Sequence, residues 1–134
     1  MPYAHITGWG MFVPEPVLTN DDIAKIVDTN DAWIRERTGI RERRIARASD
    51  FPSTLGTKAA LRALSVANLK PTDVDLIICA TSTPEQIFPA TACMIQDQLG
   101  ATKAGAFDLL AACTGFIFGM NMAAQSIRSG AIKN

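Results

Sequence analysis

A cysteine stands where a short apolar stretch passes directly into a long one. In Gly105-Ala106-Phe107-Asp108-Leu109-Leu110-Ala111-Ala112-Cys113-Thr114-Gly115-Phe116 the pattern is a strand running without a proper loop into a helix, with Cys113 at the joint. A thiol at a helix start feels the unpaired backbone N–H groups and the positive end of the macrodipole, which favour thiolate over thiol. Cys113 is therefore a candidate nucleophile. Gly115 costs helix stability but leaves room for something to approach the backbone beside the sulfur. A corner of this kind also offers its own N–H groups as an oxyanion hole. The competing account is plain packing, since free cysteine is among the most buried residue types.

A second constellation lies upstream. Arg35, Arg37, Arg41, Arg43, Arg44 and Arg47 stand against only Glu36 and Glu42, a local excess of four positive charges in a chain that is neutral overall. One account is a solvated face laced with i,i+4 ion pairs. The sharper one is a phosphate site, because guanidinium forks match phosphate geometry. Trp33, one helical turn from Arg37, adds a flat surface on which a base or ring can stack.

The other potentially reactive side chains carry no motif. Cys79 sits inside an apolar run and reads as core, and Cys93 lies near a helix start without a basic cluster. The one histidine, His5, has no partner motif and reads as structural or surface. Three cysteines without a C-x-x-C pair make neither a disulfide frame nor a zinc site, and a redox thiol would want a resolving cysteine close to it.

The 134 residues allow one domain with a real core but a large surface-to-volume ratio. With 48% apolar residues, 19% charged and a formal net charge of zero, there is no bulk attraction for nucleic acid or an anionic membrane. No apolar run approaches the roughly eighteen residues needed to span a bilayer. The N-terminus lacks the basic-then-apolar order of a signal peptide, so a cytoplasmic location is expected. No repeat of solenoid period and no low-complexity tract interrupts the chain.

Residues 3–13 alternate weakly around Gly8 and Gly10 and predict a first strand followed by a bend, ended by Pro14 and Pro16. Thr19-Asn20-Asp21-Asp22 supplies N-cap chemistry for a short helix to about Asp28, and Thr29-Asn30-Asp31 does so for another over residues 32–36. Pro52-Ser53 opens a helix through about Asn68 whose inner stripe is Leu55, Ala59, Ala63, Leu64 and Ala67, with Lys58, Arg62 and Ser65 outside. Val74 to Ala80 is a continuous apolar run, the mark of a parallel strand buried on both faces. The polar loop Thr81-Ser82-Thr83-Pro84 follows its carboxyl end, where α/β folds place their ligand crevices. Thr91 to Leu99 predict a helix stopped by Gly100, and residues 106–110 the next strand. In the last helix Phe116, Ile117, Phe118, Met120, Met122, Ala123, Ala124 and Ile127 leave almost no polar face, so it must be buried on all sides. One layer of sheet covers one side only, and something outside these residues must cover the other.

Asp31-Ala32-Trp33-Ile34 with Arg37-Thr38-Gly39-Ile40-Arg41-Glu42-Arg43, and Phe107-Asp108 with Ala111-Ala112-Cys113-Thr114-Gly115-Phe116, closely resemble β-ketoacyl-acyl carrier protein synthase III, the initiating condensing enzyme of bacterial fatty-acid synthesis. Leu18-Thr19-Asn20 and Phe88-Pro89-Ala90-Thr91-Ala92-Cys93 extend the likeness, which runs from residue 3 to 134 without a visible gap.

The resemblance implies an α/β chain of thiolase-like fold, an αβαβα layered sandwich of two similar halves. Residues 1–134 then correspond to the N-terminal half-domain carrying the nucleophile, without the C-terminal half. It implies that Cys113 takes an acyl group from acyl-CoA, with acetyl-CoA the expected donor, and that decarboxylated malonyl-acyl carrier protein attacks the resulting thioester. Trp33 is implied to stack on coenzyme A and Arg37 to hold it by charge, with Thr29 a further substrate-binding residue. Phe88 is implied to reach across a homodimer into the partner's acyl pocket. The partners implied are acyl-CoA, acyl carrier protein and a second copy or a complementing C-terminal half, with no cofactor beyond the coenzyme A thioester substrate and no metal. Position 114 is Thr where Ala or Ser is commoner. The family's catalytic histidine and asparagine belong to the second half, which implies at most slow acylation of Cys113 and no condensation by these residues alone. Two alternatives stay open: a related condensing enzyme with another acyl substrate, and a non-catalytic module that binds coenzyme A or acyl carrier protein through the arginines.

Overall fold

The computed structural model describes residues 3–134. They divide into two compact units, one of Val13–Asp50 and the other of the chain up to Phe12 together with Phe51–Asn134.

In the smaller unit, β1 (Val17–Thr19) pairs antiparallel with β2 (Glu42–Arg44), Val17 opposite Arg44 and Thr19 opposite Glu42. Helix α1 (Asn20–Ala24) starts as expected: Asp22 N–H donates to Thr19 Oγ1 and Thr19 N–H donates to Asp22 Oδ2, each at 3.1 Å, a reciprocal capping box. It stops at Ala24 rather than near Asp28, because Ile26 and Val27 find nothing to pack on and stay 73% and 54% exposed. Helix α2 (Asp31–Thr38) is longer at both ends than residues 32–36. Asn30 Oδ1 accepts Trp33 N–H at 2.8 Å at its start, and Gly39, at φ 71°, ends it. The fully buried Asn20 ties the unit together. Its side-chain amide donates to Asp31 Oδ1 and Ile40 O, each at 2.8 Å, and its oxygen accepts the Arg43 guanidinium. Neither β1 nor β2 was expected, since three-residue strands of mixed Arg, Glu and Val carry no alternation to read.

The larger unit packs α4 (Thr91–Leu99) on a parallel pair, β3 (Leu76–Ala80) and β4 (Gly105–Leu109), with α3 (Pro52–Ala67) against α4 and α5 (Gly115–Arg128) against β3. Register runs from Leu76 opposite Gly105 to Ala80 opposite Leu109. Period-two alternation assigns the faces. Ile78, Ala80 and Leu109 meet Gly115 and Gly119 of α5, whereas Asp108 and Ala106 meet α4. The α/β reading with a parallel β3 therefore holds, and the helix over Thr91 to Leu99 ends at the left-handed Gly100 (φ 71°) as expected.

Two expectations are corrected here. Residues 3–12 form no strand. They lie along α3, so close that a Cβ on Gly8 would stand 2.3 Å from Ala63 O and one on Gly10 2.1 Å from Ala59 O. Those glycines serve backbone-to-helix approach, not a bend. In α3, the residues sealed from solvent are Ser53 and Thr57 rather than the apolar stripe, which is only half-buried. Thr57 Oγ1 donates to Gln98 Oε1 at 2.8 Å and Gln98 Nε2 donates to Ser53 Oγ at 3.2 Å, so a short polar ladder joins α3 to α4. As expected, the sheet covers one side of α5 only: Phe116, Ile117 and Phe118 are 70%, 62% and 53% exposed. Beside it an apolar groove of about 260 Å³, lined by Leu76, Ile78, Phe116, Met120 and Ile127 among others, lies open.

Candidate active site

Between β4 and α5 the chain turns through Ala112–Thr114, a single 3₁₀ turn, and Cys113 is exposed at its centre. Thr114 closes this turn twice on Ala111 O, from its N–H at 3.1 Å and its hydroxyl at 2.7 Å, and Gly115 N–H donates to Ala112 O. Ala112 is held at φ 44°, a left-handed conformation that costs a residue with a Cβ about 1–2 kcal/mol. Its N–H donates to Ser82 Oγ at 3.2 Å, from the loop after β3. Gly115 is buried because a Cβ there would come within 3.3 Å of the Ala80 methyl, so a minimal residue seats the start of α5 on β3.

The sulfur therefore sits two residues before α5, not at its first position. The neighbouring amides of Ala112, Thr114 and Gly115 already donate within the turn or to Ser82. Those three are not free donors for an oxyanion, whereas the N–H of Cys113 itself has no acceptor among the described residues and is the donor the corner can still offer.

Cys79 and Cys93 sit apart from this turn. Burial, with Asp108 and then Glu85 adding negative charge, pushes the Cys79 thiol up to about 11. Cys93 Sγ donates to Ala106 O at 3.7 Å on the α4 face of the sheet. Cys79, with a thiol at about 11, is ionised only about one part in a thousand at pH 8. Iodoacetamide at that pH is expected to alkylate Cys113 well before Cys79, as peptide mass mapping against time would show.

Asp108 has a role that its place in the sequence motif did not reveal. Helix α4 has no capping side chain at Ala90, and its first two amides, Thr91 N–H and Ala92 N–H, donate instead to Asp108 Oδ2 and Oδ1 at 2.8 and 2.7 Å. Both capped residues are wholly buried. The strand leading to Cys113 thus anchors the helix that follows the Phe88 loop. In that loop the Phe88-Pro89 peptide is cis and Phe88 projects 89% exposed.

Thr29, Trp33 and Arg37 are brought together in the smaller unit. Asp28, Thr29, Asn30 and Trp33 line a hollow of about 190 Å³, and the Arg37 guanidinium lies 5.8 Å from the centre of the half-exposed Trp33 ring. Thr29 Oγ1 is buried there without a hydrogen-bond partner among the described residues. Of the other arginines, Arg35 pairs with Asp31 at 3.2 Å in the expected i,i+4 manner, Arg44 with Glu42 at 3.4 Å and Arg47 with Glu15 at 2.6 Å. Arg37 has no acidic partner among the described residues. Also among them, no group of three or more His, Cys, Asp or Glu is placed to hold a metal ion, and no helix is long and apolar enough to cross a membrane.

Comparison with known proteins bears on these features. The family model described as 3-oxoacyl-[acyl-carrier-protein (ACP)] synthase III matches residues 107–134, the stretch from β4 through the cysteine turn and α5. The β-ketoacyl-[acyl-carrier-protein] synthase III of Roseiflexus sp. (strain RS-1) is 55% identical over 98% of this chain, which covers 40% of that protein. The crystal structure of the Aquifex aeolicus VF5 3-oxoacyl-[acyl-carrier-protein] synthase III superposes with a TM-score of 0.89 at 52% identity, over 93% of this chain and 40% of that one. Over nearly its whole length the chain is similar to the β-ketoacyl-acyl carrier protein synthase III proteins. It spans about two-fifths of the length of these synthase III relatives. A priming β-ketosynthase of the R1128 polyketide pathway superposes with a TM-score of 0.90 at 37% identity, over 93% of this chain and 37% of that one. The fold is that of the thiolase-like condensing enzymes.

Within the synthase III frame the threonine at position 114 acquires a physical role, because its hydroxyl closes the cysteine turn on Ala111 O, which an alanine could not do. Asp108, Ser82 and Asn20 escaped the reading of the sequence. Each acts on backbone or side chains between 11 and 30 residues away, and nothing in the letters marks such a partner.

Proposed function

We propose that this chain carries the acyl-accepting half of a β-ketoacyl-acyl carrier protein synthase III, with Cys113 as its nucleophile. The observation that carries the reading is the exposed Cys113 on a strained turn between a parallel strand and an apolar helix. In the proposed first step the Cys113 thiolate attacks the carbonyl of acyl-CoA, a new C–S bond forms, and coenzyme A leaves as its thiolate. In the second, malonyl-acyl carrier protein loses carbon dioxide, the enolate attacks the Cys113 thioester, and the Cys113 thiolate is released with formation of β-ketoacyl-acyl carrier protein.

Trp33 offers a stacking platform for coenzyme A and Arg37 a charge for its phosphates, with the unpartnered Thr29 hydroxyl beside them as a polar contact. Phe88 is proposed to contact the acyl pocket of a second copy, which fits a phenylalanine almost fully in solvent. The second step requires donors that stabilise the enolate, and such electrostatic terms are usually the largest in catalysis. The reading assigns these donors to a histidine and an asparagine of the C-terminal half. The exposed face of α5 and the groove beside it are where that half would pack.

The likeness to a polyketide priming β-ketosynthase supports a second reading, the same chemistry with a different acyl primer. Incubation with acetyl-CoA and then with longer acyl-CoAs, followed by peptide mass analysis, tests both. A slowly formed acyl adduct on Cys113 is expected, and the preferred chain length decides between the readings. Absence of any adduct on Cys113 with every donor would overturn them together.

A further inference from the structure

We propose that Ser82 is a positioning residue for the nucleophile: by accepting the Ala112 amide it holds the left-handed residue that presents Cys113. The proposal rests on Cys113 being the reactive thiol. β3 and β4 are parallel and end side by side at Ala80 opposite Leu109, so the loops that follow them emerge at one edge. Ser82 lies two residues past β3 and Ala112 three past β4, and the Ala112 N–H donates to Ser82 Oγ at 3.2 Å.

The remaining bonds of the turn are local. Thr114 reaches Ala111 O, and Gly115 reaches Ala112 O, so these bonds close the turn upon itself. Ser82 supplies the bond that fastens it to the neighbouring strand's loop. That loop is itself braced by Thr83 N–H donating to Thr81 Oγ1 at 3.2 Å. An alanine at φ 44° returns to a right-handed conformation when nothing opposes it, and such a return re-aims the next side chain, that of Cys113. A serine hydroxyl has two lone pairs and one proton, so holding the Ala112 amide still leaves its own O–H free to donate.

The test measures the second-order rate of Cys113 alkylation by iodoacetamide across pH 6 to 10, with thermal melts alongside, in the parent, Ser82→Ala, Ser82→Thr, Ala112→Gly and the Ser82→Ala/Ala112→Gly double variant. Ser82→Ala should slow alkylation about fivefold, the equivalent of one neutral hydrogen bond. Ser82→Thr, which keeps the hydroxyl, should stay within about twofold of the parent. In the Ala112→Gly background Ser82→Ala should have little effect, because glycine adopts positive φ without a penalty. A Ser82→Ala protein that melts earlier but reacts with the parent's rate and pH profile would overturn the proposal, as would an undiminished effect in the glycine background. Alkylation needs no acyl-CoA, so a chain that fails to take an acyl group can still show whether Ser82 sets the thiol's geometry.

Discussion

Cys113→Ala is expected to abolish acyl uptake from acyl-CoA, a loss on the order of 10³-fold or more, while leaving the fold unchanged. The two halves of that statement have separate causes. The sulfur is the atom on which the proposed thioester forms, and no neighbouring thiol substitutes for it: Cys79 is held protonated at about 11 by burial and by the charges of Asp108 and Glu85, and Cys93 is turned toward Ala106 O. The side chain itself is exposed and makes no hydrogen bond among the described residues, so its truncation should shift stability by no more than about 0.5 kcal/mol. Radiolabelled acyl-CoA with gel filtration, paired with a circular-dichroism melt, measures both. Retained label on the alanine variant would remove Cys113 from the mechanism. The same 134-residue polypeptide, given malonyl-acyl carrier protein, is expected to release no carbon dioxide above background, and turnover there would show that no further residues are needed.

Asp108→Ala should be the most damaging single change to the larger unit, costing about 2–4 kcal/mol. The substitution leaves the N–H groups of Thr91 and Ala92 inside the protein with no acceptor, and it removes the negative charge that faces the positive end of α4. Asp108→Asn is not a rescue, because an amide presents one acceptor oxygen and turns its NH₂ toward the other N–H. Both variants should melt more than about 5 °C below the parent, with alanine lower. Since α4 follows the loop bearing Phe88, and β4 leads into the Cys113 turn, alkylation of Cys113 should also lose its selectivity over Cys79. A melting temperature within a degree of the parent would show that water replaces the carboxylate at that helix end.

Local chemistry was legible in the letters. The stretches Thr19–Asp22 and Thr29–Asp31 and the residue Gly100 mark helix boundaries in the letters, because a cap is a bond between groups two to four residues apart, or a glycine at positive φ; the structure puts the two caps at Thr19 and Asn30. The apolar run into β3 and the apolar composition of α5 were equally plain. Residues 3–12 show where this stops. Their weak alternation reads as a strand, but a strand needs a neighbour, and this segment's neighbour is the α3 backbone that Gly8 and Gly10 admit. Likewise, the apolar period of α3 marks Leu55, Ala59, Ala63, Leu64 and Ala67 as its inner stripe. That its most buried positions would be Ser53 and Thr57 depended on Gln98, more than forty residues further on.

By itself, then, the sequence determined Cys113 as the nucleophile candidate, Trp33 and Arg37 one helical turn apart, the parallel α/β character and the likeness to synthase III. Residue types, short-range bonds and hydrophobic period decide these. Only the tertiary structure decided that the thiol rides on a 3₁₀ turn ahead of α5, that Ala112 is strained there, and that Ser82 and Asp108 brace the turn and the helix beside it. The turn closes on its immediate neighbours, but the bonds from Ser82 and Asp108 join residues far apart in the chain, and no window of neighbouring residues contains both of their partners.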